Sequence, residues 1–125
     1  MPVLWDIREG ILALSLTGQF TNGDIEQAVQ EAAVDDRFRP GMRLLWDPRS
    51  SQTPMSSADL QWRIGLVSDF ARRGLLSRLA LVLRPDQRLS FEIFTNEAAK
   101  QLDVVPIRAF TDVSEAIVWL EGDQP

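Results

Sequence analysis

The chain has 125 residues, of which 45% are apolar and 25% charged, the makeup of a single globular domain with its own core. It contains neither cysteine nor histidine, which excludes disulfide and thiolate chemistry and removes the commonest general base and metal ligand together. A formal charge of −5 argues against a nucleic-acid module, whose affinity comes from neutralising phosphates, and nothing in the sequence asks for a metal or cofactor.

The elements follow from periodicity. Val3 to Arg8 alternates apolar and polar residues, Glu9-Gly10 marks a tight turn, and Ile11 to Thr17 alternates again, which predicts a β-hairpin. After a loop from Gly18 to Gly23, Thr21 or Asn22 caps a helix whose apolar stripe is Ile25, Ala28, Val29 and Ala32. DDRFRPG at Asp35 to Gly41 breaks that helix. Met42 to Trp46 is too short for a helix and too apolar for an exposed strand. It predicts a buried strand ending at Asp47, with a Ser- and Pro-rich loop behind it.

Ser56 or Ser57 then caps a second long helix running to about Arg73, ended by Gly74. Its first apolar stripe is Leu60, Ile64, Val67 and Ala71; Trp62, Leu66 and Phe70 form a second. This leaves Gln61, Arg63, Ser68, Asp69 and the terminal arginines for water. Arg78 to Leu83 contains LALVL, a strand covered on both faces. Asp86 caps a third helix with Phe91, Phe94, Ala98 and Leu102 on one face. Val104 to Phe110 is a last strand, set at a sheet edge because Pro106 cannot donate to a ladder. Thr111-Asp112 opens a final helix, with Asp112 and Glu115 at capping-box spacing and Val113, Ala116, Ile117 and Leu120 as its stripe. The order ββαβαβαβα predicts an α/β domain spanning residues 1–125, with a mixed five-stranded sheet, an N-terminal antiparallel hairpin and four helices.

Three stretches carry a family resemblance: LSLTGQFTNGD at Leu14 to Asp24, LLWDPR at Leu44 to Arg49, and RAFTDVSEAIVWL at Arg108 to Leu120. With the element order, they make the chain resemble the SpoIIAA-like (STAS-like) family, whose fold is shared by anti-sigma-factor antagonists and Sec14-type lipid-binding domains. The resemblance implies a βα superhelix whose first strand is antiparallel to the rest, and a bacterial regulatory protein without catalytic residues. Antagonists of that family carry a phosphorylatable Ser in a motif close to D-S-S-G. Here the matching place reads Met55-Ser56-Ser57-Ala58, which keeps the Ser pair but neither the acid nor the Gly.

Three constellations carry the functional candidates. Ser56 and Ser57 are either phosphoacceptors, favoured by a helix N-terminus, or plain caps, with Asp59 completing a capping box and opposing an added phosphate. Asp47 and Arg49 after the third strand and Arg84 and Arg88 after the fourth fall at one edge of a parallel sheet. There the guanidinium groups face a common anion, or Asp47 and Asp86 neutralise them. Trp62, Leu66 and Phe70 belong to a neighbouring helix contact, a hydrophobic ligand cavity or a dimer contact, whereas Trp5, Trp46 and Trp119 read as core or half-buried residues. No second acid or nucleophile stands beside a candidate base, so the chain reads as non-enzymatic. Its N-terminus lacks a signal-peptide pattern and no apolar run approaches the roughly 20 residues of a membrane span, so a cytoplasmic protein is expected. The leading expectation is a module that binds a protein partner or itself as a weak homodimer; the alternative is a carrier or sensor of a lipid-like or anionic small molecule.

Overall fold

The computed structural model describes residues 2–52, 56–88, 92–93, 96 and 105–122. Among them, strands β1 (Val3–Arg8), β2 (Ile11–Gly18), β3 (Met42–Ser51), β4 (Leu76–Val82) and β5 (Ile107–Phe110) alternate with helices α1 (Asn22–Ala33), α2 (Ser57–Arg72) and α3 (Val113–Glu121). The sheet order is β1-β2-β3-β4-β5, with β1 antiparallel to β2 and the other neighbours parallel. The hairpin turn uses positive φ at both Glu9 (52°) and Gly10 (80°), the type I′ geometry that matches strand twist.

Side chains alternate through the sheet and divide it into two packed faces. Val3, Ile7, Leu12, Leu14, Leu44, Trp46, Leu79 and Leu81 meet the stripes of α1 and α2, including Ile25, Val29, Ile64 and Val67. Ile11, Leu45, Ala80 and Val82 face the other way and pack against Ala116 and Leu120 of α3. In β4, Leu79, Ala80, Leu81 and Val82 are each 1% exposed or less, so this strand is buried on both faces as the LALVL run predicts. Each such Leu contributes about 1.5–3 kcal/mol by leaving water.

Several boundaries differ from the sequence expectation. β3 does not stop at Asp47 but runs on through Pro48 and Arg49 to Ser51. Its pairing with β2 steps from Ser15↔Asp47 to Thr17↔Ser50, so β3 carries one extra residue there. A proline is tolerated at such a bulge because the ladder is already interrupted. β4 begins two residues earlier than expected, at Leu76, and β5 starts at Ile107, after Pro106. Asp86 lies in a short 3₁₀ turn, Pro85–Gln87, and the helix expected to follow has its face (Phe91, Phe94, Ala98, Leu102) outside the described residues.

The caps are made locally. Thr21 caps α1 and Ser56 caps α2, each in a capping box completed by an Asp three residues on. Asp112 caps α3 by accepting from the Ser114 amide at 2.7 Å; this is a cap two residues deep, where sequence spacing suggested a box with Glu115. Past the C-cap Arg73, Gly74 takes φ 71°, the left-handed conformation that ends α2 at little steric cost. No helix among the described residues is long and apolar enough to cross a membrane.

Candidate functional site

The carboxyl ends of the parallel strands bring the candidate residues of β3 and β4 to one edge. Asp47 and Arg49 project from the same side of β3, and the Arg49 Nε and Nη2 donate to the two Asp47 carboxylate oxygens at 2.9 Å each. This bond raises the Arg49 guanidinium above its ordinary range, and the Asp112 carboxylate adds to the effect against some burial. Arg84 reaches back across the edge. It donates to the carbonyls of Arg49 and Ser51 and pairs with the Asp86 carboxylate at 3.0 and 3.2 Å. That pairing holds the Asp86 carboxyl below its usual range. Gln87 completes the strap by donating to the Pro48 carbonyl at 2.7 Å. Arg88 stands 3.7 Å from Glu92, exposed. The three arginines therefore each have a separate carboxylate neighbour, and Arg84 and Gln87 explain why β3 continues to Ser51: side chains from more than thirty residues away take up its carbonyls.

A second cluster joins the N-termini of α1 and α2. Ser56 Oγ accepts from the Asp59 amide at 3.1 Å, while Asp59 Oδ2 accepts from the Ser56 amide. Asp59 Oδ1 accepts from Asn22 Nδ2 at 3.0 Å, and Arg63 Nε donates to Asn22 Oδ1 at 3.3 Å. The bonds from Ser56, with the nearby Arg63 charge and the Asn22 amide, keep the Asp59 carboxyl below the ordinary carboxylate range. Arg63 is 5% exposed and its guanidinium stacks 5.1 Å from the centre of the Phe20 ring. Burial pushes it below the usual arginine range, partly opposed by Asp59. Ser56 is thus an exposed cap whose hydroxyl is engaged, Ser57 is the first helical residue, and Ser50 and Ser51 lie in β3.

Arg63 and Ser68 are buried, which corrects their assignment to the water-facing side of α2. The spacing contained a signal for Arg63: Leu60, Arg63, Ile64 and Val67 fall at i, i+3, i+4 and i+7, so position 63 lies inside the apolar stripe. What singles it out is its neighbour Asn22, 41 residues earlier, which no local pattern reveals. Ser68 Oγ is buried without a hydrogen-bond partner among the described residues.

Trp62, Leu66 and Phe70 are half-buried and pack their inner sides on the core of the α1–α2 face. Their outer sides, with Val29 and the exposed Gly65, line a groove of about 760 Å³ between the two helices. Glu26 and Gln30 rim it from α1, Asp69 of α2 and the C-cap Arg73 from the other side. Beneath Leu66 and Phe70, between helices and sheet, the apolar cavity reaching Trp46 holds only about 20 Å³ of free space. Gly65 lacks the positive φ of Gly10, Gly18, Gly41 and Gly74, and a Cβ built on it meets nothing within 4 Å among the described residues, so no packing among them requires glycine there. Glycine inside a helix costs about 1 kcal/mol relative to alanine.

Among the described residues, no group of three or more carboxylates is placed to hold a metal ion. Neither a protein-family model nor a curated protein matches the chain.

Proposed function

We propose that this chain is a non-enzymatic STAS-like interaction module of the cytoplasm, with the α1–α2 groove as its docking surface. The complete architecture in this reading is the four-helix βα superhelix of the SpoIIAA-like family. The single observation that carries the proposal is the groove itself: three large apolar side chains half-covered by their own domain, on a surface rimmed by charge. A helix resting on a sheet ordinarily turns a polar face outward, and an apolar face left open marks a place where another molecule binds.

The size of the inner cavity favours a protein over a stored small molecule. About 20 Å³ accommodates a single water-sized probe, far less than a lipid tail needs. The arginines at the strand ends are already engaged by Asp47, Asp86 and Glu92, so an anion there competes with carboxylates in place. Regulation by phosphate, in this reading, acts at Ser56 or Ser57, beside the α2 N-terminus. Phosphopeptide mapping that found Ser50 or Ser51 instead would remove that element. Native mass spectrometry of freshly purified protein tests the main proposal: the bare chain mass, alone or in multiples, is expected, and a co-purified lipid-like mass overturns it in favour of a carrier.

A further inference from the structure

We infer that the occupant of the α1–α2 groove is α2 of a second copy of this chain, across a twofold axis that passes α2 at Gly65. The inference rests on the reading of the groove as a protein-binding surface and adds the identity of the partner.

Gly65 is the ninth of the sixteen residues of α2, so an axis there overlaps the two helices along their whole length, about 24 Å. The absent side chain lets two helix backbones come close at the crossing, a use for glycine that no contact among the described residues supplies. Trp62, Leu66 and Phe70 then flank the crossing and are covered by their symmetry mates. A twofold contact requires a surface complementary to itself, and the charges meet that condition. Helices α1 and α2 run side by side in the same direction, their N-terminal ends tied by the Asn22–Asp59 bond. Glu26 and Asp59 stand toward that end; at the other, Arg72 and Arg73 outnumber Asp69, which pairs with Arg73 at 3.3 Å, and leave a net positive charge. Turning one copy by half a revolution sets each acidic end against the partner's basic end and opposes the two helix dipoles. A parallel arrangement instead places like charges together.

Sedimentation velocity of the full chain over a concentration series tests this, with four variants. Wild type is expected to shift from monomer to dimer as concentration rises. Trp62→Glu should weaken the dimer roughly thirtyfold or more, as removal of an aromatic anchor does. Gly65→Gln has room in the monomer and is a better helix former, so it should fold with an unchanged or higher Tm yet lose the dimer. Arg73→Glu alone should weaken association roughly threefold, and Glu26→Arg in the same chain should restore it. A wild type that stays monomeric to its solubility limit overturns the inference, as does a dimer indifferent to Gly65→Gln and Trp62→Glu. If the wild type is monomeric but a different host protein binds and both variants abolish that binding, the docking surface stands and self-association falls. If neither a second copy nor any host protein responds to these variants, both fall.

Discussion

The two faces of the sheet are closed by different means. On the α1–α2 face, long apolar stripes on two helices meet an apolar side of every strand from β1 to β4, and closure is a matter of hydrophobic area. On the opposite face, among the described residues, one nine-residue helix packs its apolar stripe on Ile11, Leu45, Ala80 and Val82, and a cation of the sheet is bonded to it. Arg78, 7% exposed, rises from β4 beneath α3, donates to the Trp119 carbonyl at 2.7 Å and lies 5.4 Å from the Trp119 ring centre. It thus shares with the Gly122 amide, at 3.3 Å, a carbonyl in the last turn of α3 and meets the negative end of the helix dipole. The first face spreads its closure over two helices and buries its own cation, Arg63, against Phe20; on the second, one guanidinium ties a short apolar helix to the sheet.

Breaking the strand shared by both faces should have the largest effect. Leu81→Asp buries an unpaired carboxylate in β4, at a cost comparable with the whole stability of a small domain, about 5–15 kcal/mol. The variant should be insoluble or lack a cooperative denaturation transition; a soluble, cooperative variant would mean that β4 is not central. Removing the guanidinium from the second face comes next. Arg78→Met keeps much of the apolar stem but loses the bond and the stacking, and should cost about 2–3 kcal/mol in urea denaturation. Arg78→Lys should recover only part of this, since an ammonium reproduces the charge but not the planar stack. An Arg78→Met variant as stable as wild type would erase the distinction between the faces.

On the first face the α2 cap offers a smaller test. Ser56→Ala removes the oxygen that accepts from the Asp59 amide and should cost about 1 kcal/mol, with the fold unchanged. The smallest effect is in acid. Because the folded state holds the Asp59 carboxyl below its ordinary value, it contributes stability above the unfolded value, and that contribution is lost as pH falls through the folded one. Asp59→Asn should therefore flatten the decline in Tm below about pH 4 relative to wild type. An identical decline in both would separate the capping box from acid stability.

Much of the fold was legible because it is local. The Glu9-Gly10 turn, the Thr21 and Ser56 caps, and the stripes of Ile25, Ala28, Val29 and Ala32 or of Ile64 and Val67 are each written within a few residues. What escaped depends on distance along the chain. β3 runs past Asp47 because Arg84 and Gln87 take up its carbonyls, and a Pro-Arg-Ser-Ser stretch gives no hint of that. Arg63 and Arg78 are buried against Asn22, Phe20 and Trp119, partners that a hydropathy pattern cannot connect. Gly65 is the opposite case, a residue visible in the sequence at which only the structure reveals that no atom of the described residues lies within 4 Å of an added Cβ.

The margins of the sheet bear on how copies of this protein meet. Among the described residues β5 forms one margin, only four residues long; the proline before it has no N–H to offer, and Arg108 lies over Phe110 on its α3 side. At the other margin, Asp6 of β1 pairs with Arg8 and Arg37, and Arg37 also donates to the Ile7 carbonyl at 3.0 Å, taking up an acceptor that an incoming strand would need. Both margins are poor templates for strand addition, the usual route from a β-sheet to fibrils. Crowded copies of this chain should therefore resist seeding by β-rich aggregates.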